Sequence, residues 1–560
     1  MTRIIARTLA PLCAFAAASF LSAAPPAPAP TEHNLAPVLF EGMGSHTRRI
    51  STTSADAQRW FDQGLIWLFA FNHDEAIRSF TEAARHDPDA AMPWWGVAVA
   101  HGPHINNPAM PEERQTAAWE ALQQANMRLH RASTVERALI EAVAARYAPQ
   151  PVEDRAPLDR AYADAMMQVA RQHAQDDDVL VLFAESMMDL RPWNLWQDDG
   201  SPHEGTDQIL HALETVLARS PNHPGAAHLY IHAVEASPNP YRAVPAADAL
   251  RAAAPVIGHL THMPSHIDIR VGAWDQAAQS NRAAMEADRR YREASGRPPE
   301  FWSIYMAHNP QFLAFACMNQ GREKEALESA RAMQDLLSKV PDDVAPFADP
   351  VLTLDLEVLT QFGRWEKVLE APEPEPRWPI SRALRHHARG VALANLGRTS
   401  EAQRELEALI DAKDALPDDA LMAINPAKTV LQIAVHKLRG EIALNEGRLD
   451  EAARELKHGV AIEDTLLYME PPDWVQPMRR PLGAVLMKAG KHAEAEAVYR
   501  EDLRRWPENG WSLLGLSQAL AAQGKPDEAA AVRKRFEHVW KDADVTIGSS
   551  CPCVTISPAQ

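Results

Sequence analysis

Cysteine is scarce in this chain of 560 residues, which contains only Cys13, Cys317, Cys551 and Cys553. So few cysteines exclude a disulfide-stapled scaffold, and stability must come from the packing of apolar side chains. Cys551 and Cys553 stand two positions apart in a tail rich in Gly, Ser, Pro and Thr. A disulfide or an idle pair is favoured there over a soft-metal site.

Positively charged residues are also few. The chain has 56 Lys and Arg against 75 Asp and Glu, which gives a formal net charge of −19. A field of this sign repels phosphate backbones and anionic membrane surfaces. The composition therefore predicts that nucleic acid is not a partner.

Long apolar runs are absent after the first residues of the chain. Residues 1–24 carry Arg3 and Arg7, then an apolar run that ends in small residues, which is the pattern of a signal peptide. Residues 25–54 form a Pro-rich spacer and N-terminal segment. We expect an exported protein, periplasmic or secreted, whose mature chain has no transmembrane segment.

Familiar catalytic motifs are missing as well. The sequence has no P-loop, dinucleotide fingerprint or nucleophile elbow. His228 and His232 are spaced i, i+4, but Leu229 follows the first of them where the zinc-protease motif H-E-x-x-H has Glu. Nucleotide chemistry and the known zinc-hydrolase arrangement are therefore not supported.

A recurring pattern of small and aromatic residues runs through most of the chain. Its clearest copy consists of a tryptophan, a glycine, a second aromatic, two alanines around a phenylalanine, and a proline: Trp60, Gly64, Trp67, Ala76, Phe80, Ala83 and Pro88. Further copies include Leu482, Gly483, Gly490, Ala495, Tyr499 and Pro507. The spacing resembles the tetratricopeptide-repeat family, and together with the leader it resembles an exported bacterial-type member.

This resemblance implies an all-α fold, an α-solenoid of stacked helix-turn-helix hairpins without a sheet. We expect an N-terminal repeat region at 55–330 with a histidine-lined groove, a C-terminal repeat region at 331–540, and a tail at 541–560. In this family the first helix of each hairpin lines a concave groove. The resemblance assigns the second place of a repeat to His259 and His308, the fifth to His228 and His262, and the ninth to His232 and His266.

Histidines concentrate between positions 228 and 308. His262 follows His228 by 34 residues, and His266 follows His232 by the same interval, which is the repeat length of the family. On a helix each i, i+4 pair lies on one face, and neutral imidazole is a common ligand of copper, zinc and iron. The sequence therefore predicts that His228, His232, His262 and His266 share at least one transition-metal ion.

Three further residues are candidate ligands or partners that orient the ligand rings, and they are Glu235, His259 and His308. A bound metal would allow a metal-dependent reaction, hydrolytic or oxidative, on a small molecule in the groove. The alternative is a non-catalytic scaffold that binds a peptide or protein in the same groove, with the histidines as polar contacts. Structural roles for the histidines also remain open, and the catalytic residues are not assigned.

Two features bear on where the histidines point. Pro264 lies inside the helix that should carry His262 and His266, and it predicts a kink that turns both toward the groove. Residues 101–111 and 191–205 read as long loops beside the groove, and Glu185 is a weaker candidate for the same surface.

Overall fold

The computed structural model describes residues 37–197, 199–253, 255–297, 302–338, 340–341 and 344–555. The expected signal peptide, and the spacer as far as residue 36, lie outside this range. From Pro37 onward the chain forms one compact unit.

The described residues form an all-α solenoid whose helices pack mainly against their neighbours in sequence. The helices are α1 Ala55–Phe69, α2 His73–His86, α3 Met92–His101, α4 Glu112–Met127, α5 Thr134–Ala144, α6 Ala156–Gln172, α7 Asp177–Met188, α8 Thr206–Arg219, α9 Pro224–Glu235, α10 Val244–Ala253, α11 Gly258–His262, α12 Pro264–Val271, α13 Trp274–Ser295, α14 Trp302–Asn319, α15 Glu323–Leu337, α16 Ala345–Ala348, α17 Leu354–Gln361, α18 Trp365–Glu370, α19 Pro379–Asn395, α20 Thr399–Asp414, α21 Ala427–Asn445, α22 Leu449–Glu463, α23 Arg479–Lys488, α24 His492–Arg505, α25 Gly510–Ala522 and α26 Pro526–Val539. Single 3₁₀ turns occur at Leu129–Arg131, Pro240–Ala243 and Asp349–Val351. The predicted α-solenoid is confirmed.

The expectation of no sheet was wrong in one place. Strands β1, Leu421–Met422, and β2, Asn425–Pro426, pair antiparallel through a tight turn before α21. Ala423 in this turn has φ of 47°, and Pro426 closes the second strand just before the helix begins. The pairing is a short hairpin that stabilises a local turn, and it does not form a layer of the fold.

Glycines of the repeat motif let successive hairpins close on one aromatic ring. The Phe80 ring on α2 lies between Gly64 of α1 and Gly96 of α3, and a Cβ at either glycine would stand 2.6 Å from that ring. Tyr499 on α24 occupies the same place between Gly483 and Gly515. The motif therefore combines a small residue on each first helix with a large one on the second helix.

The solenoid brings residues far apart in sequence into contact. The Trp274 indole donates a hydrogen bond to the Pro507 carbonyl at 2.9 Å, and the Trp511 indole donates to the Met318 carbonyl at 2.8 Å. These contacts join α13 to the connection between α24 and α25, and α25 to α14. Within the described part of the chain, no helix has the length and apolar character needed to cross a bilayer.

Candidate metal centre

The seven candidate residues come from three consecutive first helices of the solenoid. Helix α9 carries His228, His232 and Glu235, and α14 carries His308. The first helix between them is divided at Met263, and Pro264 begins its second half, where a missing N–H costs nothing. The break leaves Nε2 of His262 and Nε2 of His266 only 2.8 Å apart. The predicted kink is confirmed, and both rings point into the same space.

The grouping of the histidines differs from the sequence prediction. Two triads form, each with its ligand atoms within 4.8 Å of one another, and they are His228, His232, His259 and His262, His266, His308. In each triad the second place of one repeat joins the i, i+4 pair of the preceding repeat, and a further group, His232, Glu235 and His266, links the two triads. Nε2 of His259 lies 3.1 Å from Nε2 of His228.

The site is covered, whereas the sequence suggested an open groove. His228 and His262 are 0% exposed and His232 is 7% exposed. Phe71 and Trp193 lie against the His232 ring, with centroid distances of 6.1 and 5.3 Å. Both have positive φ, 59° and 64°, a backbone strain that bulky residues rarely carry and that concentrates at functional sites.

Hydrogen bonds fix the tautomers of His228 and His262. Nδ1 of His228 lies 2.6 Å from the Phe69 carbonyl, which can only accept, so this Nδ1 carries the proton. Nδ1 of His262 lies 2.7 Å from Oδ1 of Asn281, whose amide nitrogen donates to the Ala277 carbonyl at 2.8 Å. In both neutral rings the Nε2 lone pair therefore faces the interior of the cluster.

The same orientation recurs at His232, His266 and His308. Glu235 accepts from Nδ1 of His232 at 3.1 Å and from Nδ1 of His266 at 2.7 Å. Nδ1 of His308 bonds to Oε1 of Gln311 at 3.1 Å. Nε2 of His232 is buried and has no hydrogen-bond partner. This is the arrangement of metal-binding histidines, in which an outer acceptor holds one nitrogen and the other is left for the ion.

Burial and neighbouring charge set the pKa values of these rings. Burial lowers the pKa of His228, His259 and His262 well below the ordinary value, and it lowers the pKa of His308 to about 3. Burial acts in the same direction at His266, but the carboxylates of Glu235 and Glu470 outweigh it and raise the pKa to about 10. Without an ion, a proton on His266 thus relieves the repulsion between the facing Nε2 lone pairs of His262 and His266.

Several residues of the centre escaped the sequence analysis. Glu470, from the segment between α22 and α23, places a carboxylate oxygen 2.7 Å from Nδ1 of His266. It is 204 positions away from that residue, so no local pattern could have indicated it. Gln311 could have been identified from the sequence, because a polar residue at i+3 from a helical histidine lies on the same face of the helix.

The loops that the sequence placed beside the groove do border the cluster. The His104 ring stacks on Phe71 at 4.5 Å, and the Trp193 indole donates to the Ile105 carbonyl at 2.8 Å. Glu185 lies instead beside Asp189 and Arg146, in a buried charged group that contains none of the six histidines. There burial raises the pKa of Glu185 to about 8.

A second group of metal-ligand residue types, His46, Asp178 and His223, has a structural explanation. Nδ1 of His223 accepts from the Ala226 backbone N–H at 3.2 Å and caps α9, so its proton lies on Nε2, which donates to Asp178. Arg48 also binds Asp178, at 3.0 Å. These contacts anchor the N-terminal segment to α7 and α9.

Two small cavities flank the centre. One, of about 40 Å³, is lined by Phe71, His73 and His104 among others. The other, also about 40 Å³, lies beyond Gln311 and reaches Glu357 and Trp474. Each has room for about one water molecule. A larger cavity of about 470 Å³ is lined by residues of α13, α14 and α15 and their connections and by none of the six histidines.

Residues 486–534 match the family model described as Tetratricopeptide repeat. No curated protein matches the chain significantly in sequence. Among solved structures, the human IFIT1 dimer with m7Gppp-AAAA is 12% identical, with a TM-score of 0.32 over 88% of this chain and 91% of that one. The Cut9–Hcn1 hetero-tetramer of the APC/C is 11% identical, with a TM-score of 0.29 over 87% of this chain and 74% of that one. Residues 486–534 are thus a tetratricopeptide repeat, within a chain whose described residues form a solenoid of helical hairpins.

Proposed function

We propose that this chain is a tetratricopeptide-repeat solenoid that binds transition-metal ions through the Nε2 atoms of His228, His232, His259, His262, His266 and His308. The observation that carries the proposal is the protonation pattern of the rings. Five Nδ1 atoms are held by an acceptor, and the Nε2 atoms converge. Packing alone requires neither.

A cation would also remove the repulsion between the Nε2 lone pairs of His262 and His266. Two Nε2 lone pairs 2.8 Å apart repel unless a proton or a metal ion stands between them. Ligands in one coordination sphere at about 2.1 Å from the ion lie about 3.0–3.4 Å apart, so the contact widens only slightly on binding. The pocket is therefore close to the geometry of a loaded site.

The donor set favours borderline metals. Six neutral imidazoles suit copper, zinc or iron, whereas magnesium and calcium prefer oxygen ligands. Three histidines around an ion leave one coordination position for water or another small ligand, as in catalytic zinc sites. A metal-dependent reaction on a small molecule is compatible with this position, and its substrate is not assigned.

The burial of the histidines disfavours the alternative in which they are polar contacts for a peptide. His228, His262 and His266 are at most 2% exposed, so a peptide in the groove would not reach them. Other surfaces of the solenoid stay available to a protein partner. Export remains part of the proposal, and the disulfide between Cys551 and Cys553 supports it, because such bonds persist in oxidising compartments.

The test is metal analysis of protein purified without a histidine tag, loaded with excess copper or zinc and then desalted. The diagnostic variant combines His232→Asn and His266→Asn, because the Asn amide can replace Nδ1 at Glu235 while Nε2 is removed. His386→Asn is the matched control, since His386 bonds to Glu405 on α20, far along the solenoid. We expect wild type and control to retain metal and the double variant to lose most of it. Equal metal content in a folded double variant would overturn the proposal.

A further inference from the structure

The two histidine triads are equivalent parts of successive repeats. His262 and His266 hold the places of His228 and His232 one repeat later, and His308 holds the place of His259 in the next first helix. His308 follows His259 by more than one repeat length, because residues 287–302 are inserted between them. Helix α13, with 22 residues, takes up part of this insertion. One three-histidine module is thus present twice.

Each triad has its own aromatic wall. Phe71 lies against the three rings of the first triad, with centroid distances of 4.5, 6.1 and 5.9 Å to His228, His232 and His259. Phe312 lies against the second triad, at 4.7 Å from His262, 4.7 Å from His266 and 4.9 Å from His308. Two separate walls indicate two separate pockets rather than one shared by six rings.

The two triads nevertheless touch each other. The rings of His232 and His266 are 5.6 Å apart, and those of His259 and His262 are 6.1 Å apart. Glu235 joins them through hydrogen bonds to one ring of each triad. Ions in the two triads would therefore be neighbours, in the manner of two-metal sites whose ions lie about 3.5–4 Å apart.

We propose that the centre is dinuclear, with one ion in each triad and a hydroxide between the two ions. This inference rests on the proposed function and specifies its stoichiometry and its small ligand. A water molecule between the ions would lose one proton to solvent, because two adjacent cations would lower its pKa.

The positive charge of two metal ions favours an anionic ligand between them. Two divalent ions bring four positive charges into a buried site whose histidine ligands are neutral. Glu235 and Glu470 supply at most two negative charges, and Arg270 lies near both of them. Buried charge is costly unless it is compensated, so at least one further anion belongs with the ions. A hydroxide fits, because the aromatic walls and the ring contacts leave little space.

The experiment is a titration of metal-depleted, untagged protein with Cu²⁺, followed by metal analysis and by electron paramagnetic resonance. We expect two Cu²⁺ per chain, and a fully loaded centre with a signal far below that of two isolated Cu²⁺ ions, because the bridge couples their spins. His259→Asn and His308→Asn each remove one ligand from one triad. Each variant should bind one Cu²⁺ tightly and show the full signal of an isolated ion.

Three results would overturn the dinuclear centre. The first is one Cu²⁺ per wild-type chain that is lost in both variants. It would mean that all six histidines serve a single ion, and the proposed metal binding would still hold. Two Cu²⁺ with the full signal of two isolated ions would exclude the bridge. No tightly bound Cu²⁺ in wild type would refute the proposed function together with the inference. If a variant fails to fold, the wild-type stoichiometry and signal alone decide.

Discussion

Nδ1 of His266 donates a hydrogen bond to Glu235 at 2.7 Å, and this bond joins two successive repeats of the solenoid. The other carboxylate oxygen of Glu235 accepts from Nδ1 of His232. One buried carboxylate thus orients a ring of each triad. Burial alone would raise the pKa of Glu235, but its interactions with His232 and His266 outweigh burial, so the pKa is lowered and the group stays ionised.

Glu235→Gln should weaken metal binding tenfold to a hundredfold, the usual effect of losing a group that orients a metal ligand. The Gln amide nitrogen would face one of the two Nδ1–H groups as a second donor, so one ring must turn away. Competition titration against a chelator measures the change. Glu470→Gln is the comparison and should have the smaller effect, because Glu470 pairs with His266 of one triad, whereas Glu235 holds a ring of each triad. An unchanged dissociation constant in Glu235→Gln would contradict the orienting role.

Metal should stabilise the fold, because the ligands come from three successive hairpins. At free metal 100 times the dissociation constant, linkage gives about 2.7 kcal/mol per ion. Thermal unfolding of wild type with and without Zn²⁺ should show the rise in Tm. The variant with His232→Asn and His266→Asn should show little or no rise, and an equal rise would mean that the stabilising ion binds elsewhere.

Gly515→Ala should destabilise the C-terminal repeats by about 1–3 kcal/mol, the typical cost of overpacking. A Cβ at Gly515 would overlap the Tyr499 ring, which also fills the space beside Gly483. Gly548→Ala is the control, because a Cβ there meets no atom within 4 Å. Urea unfolding compares the two. Equal stability of both variants would show that the small-residue motif does not serve this close packing.

Asp473→Asn should stabilise the protein more at pH 8 than at pH 5. Burial, partly opposed by the hydrogen bond from Asn425, raises the pKa of Asp473 from 3.8 to about 7. The folded state therefore keeps a proton that the unfolded state loses between about pH 4 and 7, and wild-type stability falls as the pH rises through this window. Asn keeps an acceptor for Asn425 and does not ionise. An equal effect at both pH values in urea unfolding would contradict the raised pKa.

Much of the fold was predictable from local sequence. The Gly and aromatic spacing indicated the hairpins because a glycine on a first helix leaves room for a large side chain of a neighbouring helix, as Gly64 and Gly96 both do for Phe80. The tight turn at Ala423 was not predictable in this way, because it depends on two residue pairs outside the repeat pattern.

The candidate residues were predictable and their grouping was not. The interval of 34 residues identified equivalent positions, but whether His259 turns toward His228 or toward His262 depends on how the helix breaks at Met263. Glu470 and Asn281 reach the centre only through tertiary packing, Glu470 from the segment between α22 and α23 and Asn281 from α13. Phe71 and Trp193 gave no signal, since a strained backbone is not visible in a side-chain pattern.

Anomalous diffraction from crystals of the untagged protein grown with Cu²⁺ or Zn²⁺, measured at the absorption edge of the metal, tests metal binding most directly. We expect strong peaks about 2.0–2.2 Å from the Nε2 atoms of His228, His232 and His259 and of the second triad. The Nδ1 atoms should keep their bonds to Phe69, Glu235 and Asn281. Saturated crystals with no peak among the six histidines, or with the metal held only by surface groups, would contradict this expectation.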